Sequence, residues 1–368
     1  MRHVYFAGGG TGGHIYPALA VAQELLKADP SCKITFFCSD RSIDARILED
    51  TGFRFIPLPV RGFSKNPYEV FLFLRSLWAA KKIVKQTILA DSSEKKVLFS
   101  VGGFVSAPAV FAAKDLKIPI AMLNIDAVPG KANKLLARYA RDIFVQFEKT
   151  GRSFGSNRRK VTVTGCPLRR DFLNPDKNAV ITAMNLSPKK RTLLVTGASG
   201  GAANINNVIG YLLDRLEAFA NDWQIIHLAG IAHFDAVRTF YKQARINHRV
   251  LDYFDDMPNL LAAADLVIGR AGAMSVAEFA ASQTPAICLP FPYHRDRHQN
   301  LNARYLVDAG CAVIVDDLCD TERTATLLWP VLSDLMSSDE KLGQMGANCG
   351  KIARPDAAAQ VAQKLLSY

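Results

Sequence analysis

Val4-Tyr-Phe-Ala-Gly-Gly-Gly-Thr-Gly-Gly-His14 takes the chain from a short apolar strand straight into five glycines and a histidine. The same sentence is written again at Val195-Thr-Gly-Ala-Ser-Gly-Gly-Ala-Ala203. A strand that runs through a glycine turn into a helix is the opening of a doubly wound α/β domain, so two openings predict two such domains. Outward from these points, apolar runs predict strands over 34–38, 97–101, 118–123 and 143–145 in the first half. In the second half they predict strands over 192–196, 224–228, 249–251, 266–269, 286–289 and 312–315. Helical patterns over 15–27, 105–114, 205–218, 274–281 and 300–308 fall between them. Continuous apolar strands separated by helices indicate parallel sheets covered on both faces. The Gly165-Cys-Pro-Leu-Arg169 turn sets the boundary, giving domains over 1–164 and 165–354, with a terminal helix over 355–368 packing back on the first.

At 368 residues the chain exceeds what one core usually supports, in agreement with two domains. A formal net charge of +11 favours an anionic partner such as a nucleotide, a phosphorylated substrate or an acidic membrane surface. Seven scattered cysteines without a C-x-x-C pair argue for reduced, buried thiols rather than a disulfide or zinc framework. The N-terminus reads as a strand and not as a signal peptide, and no apolar stretch is long enough to span a bilayer.

Glycines at the carboxyl ends of parallel strands let backbone N–H groups approach phosphate. Three loops suit this: 8–14, 102–106 and 197–202. In the first, Gly8, Gly10 and Gly13 satisfy G-x-G-x-x-G, and Asp40 stands where a dehydrogenase keeps its ribose-binding acid. Against that reading, His14 begins the helix and Pro17 suits only a first helical turn. In the third loop Ser199 either joins Gly200 and Gly201 around a pyrophosphate or acts as a plain N-cap.

Arg270-Ala-Gly-Ala-Met-Ser-Val-Ala-Glu278 offers a carboxylate for ribose hydroxyls, although Ser275 and Glu278 also match a capping box. His294 and His298 have zinc-like spacing but no third ligand, so sugar and phosphate contacts are the better use of 294–302. Between Arg61 and Lys85 six basic residues face the single acid Glu69 among Phe63, Tyr68, Phe71, Leu74 and Trp78. That stretch fits an interfacial patch on an anionic membrane or a buried helix with a solvated basic face. Nucleic acid is not expected, for want of a recognised binding module.

Taken in order, the motifs resemble the MurG-type UDP-N-acetylglucosamine transferases of bacterial peptidoglycan synthesis, which make lipid II from lipid I. The resemblance rests on residues 9–14, 102–106, 199–202, Phe254-Asp-Asp-Met257, 270–278 and Asp296-Arg-His-Gln299 with Asn302. It implies an α/β GT-B arrangement, with two doubly wound Rossmann-like domains facing a central cleft. Thr11, Gly12, Gly13 and Asp126 would then serve the acceptor side, with His14 as general base. Ser199 would sit at the donor pyrophosphate, Phe254 at uracil and Glu278 at the ribose. Ala273, Met274, Ser275, Val276, Ala277 and Gln299 would line the sugar and phosphate pocket, and Arg169 would reach toward the donor. The implied partners are UDP-GlcNAc, a lipid-linked muramyl-pentapeptide and the anionic inner-membrane surface. No cofactor or metal is implied, and the implied location is peripheral, on the cytoplasmic face of the inner membrane.

The chain departs from the family at Leu123-Asn-Ile-Asp126 (commonly His-Glu-Gln-Asn), at Gly200 (commonly Gln) and at Ala271 (commonly Ser). The first change leaves transfer to another lipid, such as diacylglycerol, as an alternative. A dehydrogenase and a catalytically idle nucleotide-sugar sensor are the readings from other classes.

Overall fold

In a computed structural model that describes residues 1–10, 12–62, 66–197, 200–293 and 297–368, the chain divides into two compact units. The first comprises Met1–Arg169 with Asp356–Tyr368, and the second Arg170–Pro355.

The first unit is built on strands β1 (Arg2–Gly8), β2 (Lys33–Ser39), β3 (Arg54–Leu58), β4 (Lys95–Gly102), β5 (Ile120–Asn124), β6 (Asp142–Val145) and β7 (Val161–Val163). They form one sheet in the order β3-β2-β1-β4-β5-β6-β7, with every pair parallel. Two of these strands, β3 and β7, were not expected from the sequence. Both are edge strands: Pro57 interrupts the β3 pattern, which an edge tolerates because one side of the strand needs no ladder bonds. Strand β7 is only Val-Thr-Val and is half exposed.

Strands β8 (Arg191–Thr196), β9 (Trp223–Leu228), β10 (His248–Leu251), β11 (Leu266–Gly269), β12 (Ala286–Cys288) and β13 (Ala312–Ile314) make the second sheet. Its order is β10-β9-β8-β11-β12-β13, again all parallel. In both sheets the order reverses beside the first strand, the place where doubly wound folds bind ligands.

Helix Ala203–Leu216 shows how the faces are covered. It buries Ile205, Val208, Ile209, Leu212, Leu213 and Leu216, a stripe at three- and four-residue spacing, against the sheet and against helix Thr321–Met336. The terminal helix Ala357–Leu366 packs on helix Gly12–Ala28 of the first unit through Ala357, Ala358, Val361 and Leu365. Tyr368 pins its end: its hydroxyl donates to Asp142, and the Arg141 guanidinium lies 4.9 Å from its ring.

Helix Gly12–Ala28 begins early enough to put Pro17 inside it rather than in its first turn. A proline there has no N–H for the Gly13 carbonyl. Six cysteines are buried as expected of small apolar residues, but Cys319 is exposed because it sits in the loop after β13. Among the described residues, no helix is long and apolar enough to cross a membrane.

Candidate functional site: two glycine loops and a polar cleft

The first glycine loop is shaped by an acid outside the expected set. Asp44, fully buried in helix Ser42–Glu49, accepts the Gly10 N–H on both carboxylate oxygens at 2.9 and 2.8 Å. It also accepts the Ser39 N–H at 2.9 Å and the Ser39 hydroxyl at 2.6 Å. A Cβ on Gly9 would lie 2.1 Å from its Oδ2, so only glycine admits the carboxylate this close. Arg41 closes the loop from outside, donating to the Gly10 carbonyl at 2.9 Å. The dehydrogenase reading fails here: Asp40 is exposed, and Asp44 already occupies the Gly10 N–H, one of the donors a dinucleotide phosphate would need.

His14 stands on the first turn of the helix that follows, beside the second glycine loop. A Cβ on Gly102 would come within 3.3 Å of the imidazole and 3.3 Å of the Asn133 amide. Asn133 in turn donates to Asn124 Oδ1 at 2.9 Å, and Asn124 donates to the Asp126 carbonyl at 2.7 Å. The altered loop 123–126 is thereby tied to the His14 neighbourhood. Burial holds the His14 pKa below its ordinary value, against the smaller opposing pull of the Asp126 and Asp44 charges. The ring is therefore neutral at pH 7, the form a general base requires.

In the second unit a cleft of about 500 Å³ is lined by Gly201, Ala202, Asn204, Arg270, Gly272 and Gln299, among others. Two helices begin on it, Ala203–Leu216 after Ala202 and Ala273–Ala281 after Gly272, and neither has a side-chain cap. The positive ends of two helix dipoles make the cleft receptive to an anion. These starts also remove two alternatives. Ala202 holds the cap position of the first helix, so a serine N-cap does not explain that loop. Ser275 is the third residue of the second helix rather than its cap, so Ser275 and Glu278 form no capping box.

Arg270 fixes one wall of this cleft. Its guanidinium donates to the Leu289 carbonyl at 2.9 Å and to Asp317 at 2.7 Å, with Phe291 5.6 Å away. Buried Asp317 also receives the Asn204 amide and the Cys319 N–H. Gln299 Oε1 accepts the Phe291 N–H at 2.9 Å, and buried Asn302 donates to the Ala271 carbonyl at 3.2 Å. Asp44, Asn133 and Asp317 were absent from the residues singled out in the sequence. Asp317 follows the carboxyl end of β13, and that position was its one available signal.

Of the remaining expected residues, Gly12 is buried and Gly13 half-buried in the helix start after the first loop. Glu278, Ala273 and Val276 are buried, whereas Met274, Ser275 and Ala277 are half-buried on helix Ala273–Ala281. Phe254 is half-buried in the loop between β10 and helix Met257–Ala262. Arg169 belongs to the first unit and lies 4.9 Å over the Tyr16 ring. Thr11, Ser199, His294, Phe63 and Lys65 lie outside the described residues.

Two doubly wound parallel α/β units, one carrying an anion-receptive polar cleft, are the architecture of the GT-B fold, and the family matches make this one a glycosyltransferase. The N-terminal domain of glycosyltransferase family 28 matches residues 4–145 and the C-terminal domain of that family matches residues 192–361. The chain belongs to glycosyltransferase family 28. It is 35% identical over 362 residues to the UDP-N-acetylglucosamine--N-acetylmuramyl-(pentapeptide) pyrophosphoryl-undecaprenol N-acetylglucosamine transferase of Carboxydothermus hydrogenoformans, covering 97% of this chain and 95% of that protein. The enzyme of the same name from Bacteroides thetaiotaomicron is 33% identical, with 99% and 96% covered. Among solved structures, MurG of Acinetobacter baumannii matches with a TM-score of 0.76 at 25% identity, covering both chains fully. A UDP-GlcNAc 2-epimerase from Neisseria meningitidis, at 14% identity and a TM-score of 0.70, shares the fold alone.

Proposed function

We propose that this protein transfers N-acetylglucosamine from UDP-GlcNAc to the lipid-linked N-acetylmuramyl-(pentapeptide) pyrophosphoryl-undecaprenol, forming lipid II for peptidoglycan. The carrying observation is the anion-receptive cleft of the second unit, in a chain alike over nearly its whole length to transferases of that name.

In the proposed step an acceptor hydroxyl oxygen attacks the anomeric carbon with inversion, the bond from that carbon to the phosphate oxygen breaks, and UDP leaves with the electron pair. His14 takes the hydroxyl proton, helped by the neutral state that burial gives it. The leaving pyrophosphate gathers negative charge, which the helix starts at Ala203 and Ala273 stabilise without a metal. The loop with Ser199, Gly200 and Gly201 serves the pyrophosphate, Phe254 the uracil and Glu278 the ribose. Met274, Ser275, Ala277 and Gln299 serve the sugar and phosphates, with the backbone of Ala273 and Val276. Arg169 assists the donor. Thr11, Gly12, Gly13 and Asp126 serve the acceptor.

The acceptor is a lipid, and helix Pro67–Leu89 has the surface to meet one. Its carboxyl half buries Ala80, Val84 and Ile88, while Tyr68, Phe71, Leu74 and Trp78 are exposed at three- and four-residue spacing. Exposed Arg75 and Lys82 flank them. We assign this stripe to the headgroup region of an anionic bilayer, which gives a peripheral location on the cytoplasmic face.

The test is an assay of UDP release from UDP-GlcNAc with the muramyl-pentapeptide lipid or with diacylglycerol. Release with the muramyl lipid alone is expected. Release with diacylglycerol alone makes the changed loop at Asn124–Asp126 a switch of acceptor, and release with neither refutes the transferase.

A further inference from the structure

Behind the glycine loop of the second unit runs a buried line of hydrogen bonds whose residues are not among those lining the cleft. Tyr241, His227 and Asn206 are all buried. The Asn206 amide Nδ2 donates to the Ala229 carbonyl at 2.9 Å, which leaves its Oδ1 facing His227 Nε2 at 3.0 Å. Oδ1 only accepts, so Nε2 carries the hydrogen. Burial pushes the imidazole pKa down to about 3, so the ring is neutral and Nδ1 keeps a lone pair. The Tyr241 hydroxyl, 2.9 Å away, donates to it. Every donor thus points the same way, from Tyr241 through His227 and Asn206 to Ala229, in one fixed tautomer.

The line ends where the glycine loop presses against the next turn. A Cβ on Gly201 would lie 2.4 Å from the Ala229 oxygen, and one on Gly230 would lie 2.9 Å from the Gly200 oxygen. The 229–230 turn is therefore the floor on which the 200–201 backbone rests. Directly beyond, Gly201, Ala202 and Ala203 line the cleft. Packing does not require a polar triad here. Apolar residues of similar size at all three positions would fill the same space without side-chain hydrogen bonds to satisfy, and replacing both partners of a buried bond is commonly near neutral for stability. What the triad adds is a fixed direction for one carbonyl.

We propose that His227, Asn206 and Tyr241 are positioning residues that hold the Ala229–Gly230 turn, and through it the 200–201 backbone, in the geometry that grips the donor's pyrophosphate. This rests on the donor reading of the cleft given above.

The experiment compares UDP, which has the pyrophosphate, with uridine, which lacks it, by calorimetric titration of the full chain. Asn206→Leu combined with His227→Phe replaces the polar pair by an apolar one and is expected to stay folded but to melt below wild type, because the Tyr241 hydroxyl and the Ala229 carbonyl lose their buried partners. Its affinity for UDP is expected to fall about tenfold or more, the effect of misplacing groups that bind a charge, with uridine affinity unchanged. Tyr241→Phe leaves Asn206 and His227 in place, removes only the hydroxyl and gives a smaller loss with the same selectivity, so it decides the matter should the double variant not fold. Wild-type UDP affinity in a folded variant, or equal weakening of UDP and uridine, overturns the positioning role. A wild-type chain that binds no UDP overturns the donor reading instead.

Discussion

Asp44 holds Gly10 by its backbone N–H, with both carboxylate oxygens inside 3 Å, from a helix that begins only after β2 has ended. A fully buried carboxylate is costly unless its lone pairs are filled, and the Ser39 N–H and hydroxyl fill the others. The same charge reaches His14 across the loop. One residue therefore fixes the loop's shape and helps set the electrostatics of the proposed base.

Asp44→Ala leaves the Gly10 and Ser39 donors buried without a partner. Unfolding in urea is expected to show a loss of about 2–4 kcal/mol, the range for breaking a buried network. UDP affinity, which the proposed reading assigns mainly to the second unit, is expected to stay within twofold (about 0.4 kcal/mol). A variant as stable as wild type contradicts the structural role given to Asp44.

As the proposed base, His14 is expected to set the acid limb of the pH profile. Its pKa is lowered in the fold, so it becomes neutral as pH rises through a value below the ordinary 6.5. The acid limb of kcat/KM is accordingly expected to have its midpoint below 6.5, with no loss of rate at pH 7. Asp126 opposes the lowering, so Asp126→Asn moves the limb to still lower pH. His14→Ala removes the limb and lowers kcat by roughly 10²–10⁴, the usual contribution of a general base. An unchanged kcat with a raised acceptor KM assigns His14 to binding alone.

Arg270 and Asp317 are both buried, so breaking the pair strands a charge. Arg270→Met is expected to cost about 3–5 kcal/mol in chemical denaturation. Arg270→Met with Asp317→Leu is expected to recover much of that stability, because no charge is left behind. UDP affinity stays reduced in the pair, since Asn204 and the 317–319 loop lose the group that ties them to the cleft wall. Recovery of UDP affinity along with stability contradicts that role.

These relationships differ in how far the sequence reveals them. Strands β1 and β8, covered on both faces, read as unbroken apolar runs, and the glycine turns after them mark both units. Strand β3 is concealed by Pro57 and β7 by its three-residue length, and only an edge position allows either. The glycine loops are legible because glycine at a strand end has few other uses. Asp44 and Asp317 are not, because a lone acid a few residues past a strand has no spacing signature until the loop's path is known. Ser275 and Glu278 mislead for a related reason. Their spacing fits a cap, but Gly272 starts the helix three residues earlier and turns both into interior positions.

Helix Pro67–Leu89 carries the last prediction. Trp78 is 66% exposed, with the Lys82 ammonium 5.9 Å from its ring, and Tyr68, Phe71 and Leu74 continue the same stripe. Only Ala80, Val84 and Ile88 of this helix are buried, so changes on the stripe are expected to leave the melting temperature nearly unchanged. An aromatic ring at a bilayer interface gains from burial of its apolar area, and the adjacent cations gain from anionic lipid. Phe71→Ser with Trp78→Ser is expected to lower binding to vesicles containing phosphatidylglycerol by about tenfold or more, given roughly 25 cal/mol for each Å² of apolar surface withdrawn from water. Arg75→Gln with Lys82→Gln is expected to weaken binding to those vesicles by nearly as much, at about 1 kcal/mol for each charge removed, and to make it less sensitive to salt. Neutral vesicles are expected to show the serine effect and little of the glutamine effect. Co-sedimentation of all three proteins with both vesicle types checks this, and equal binding by wild type and both variants removes the membrane role from this helix.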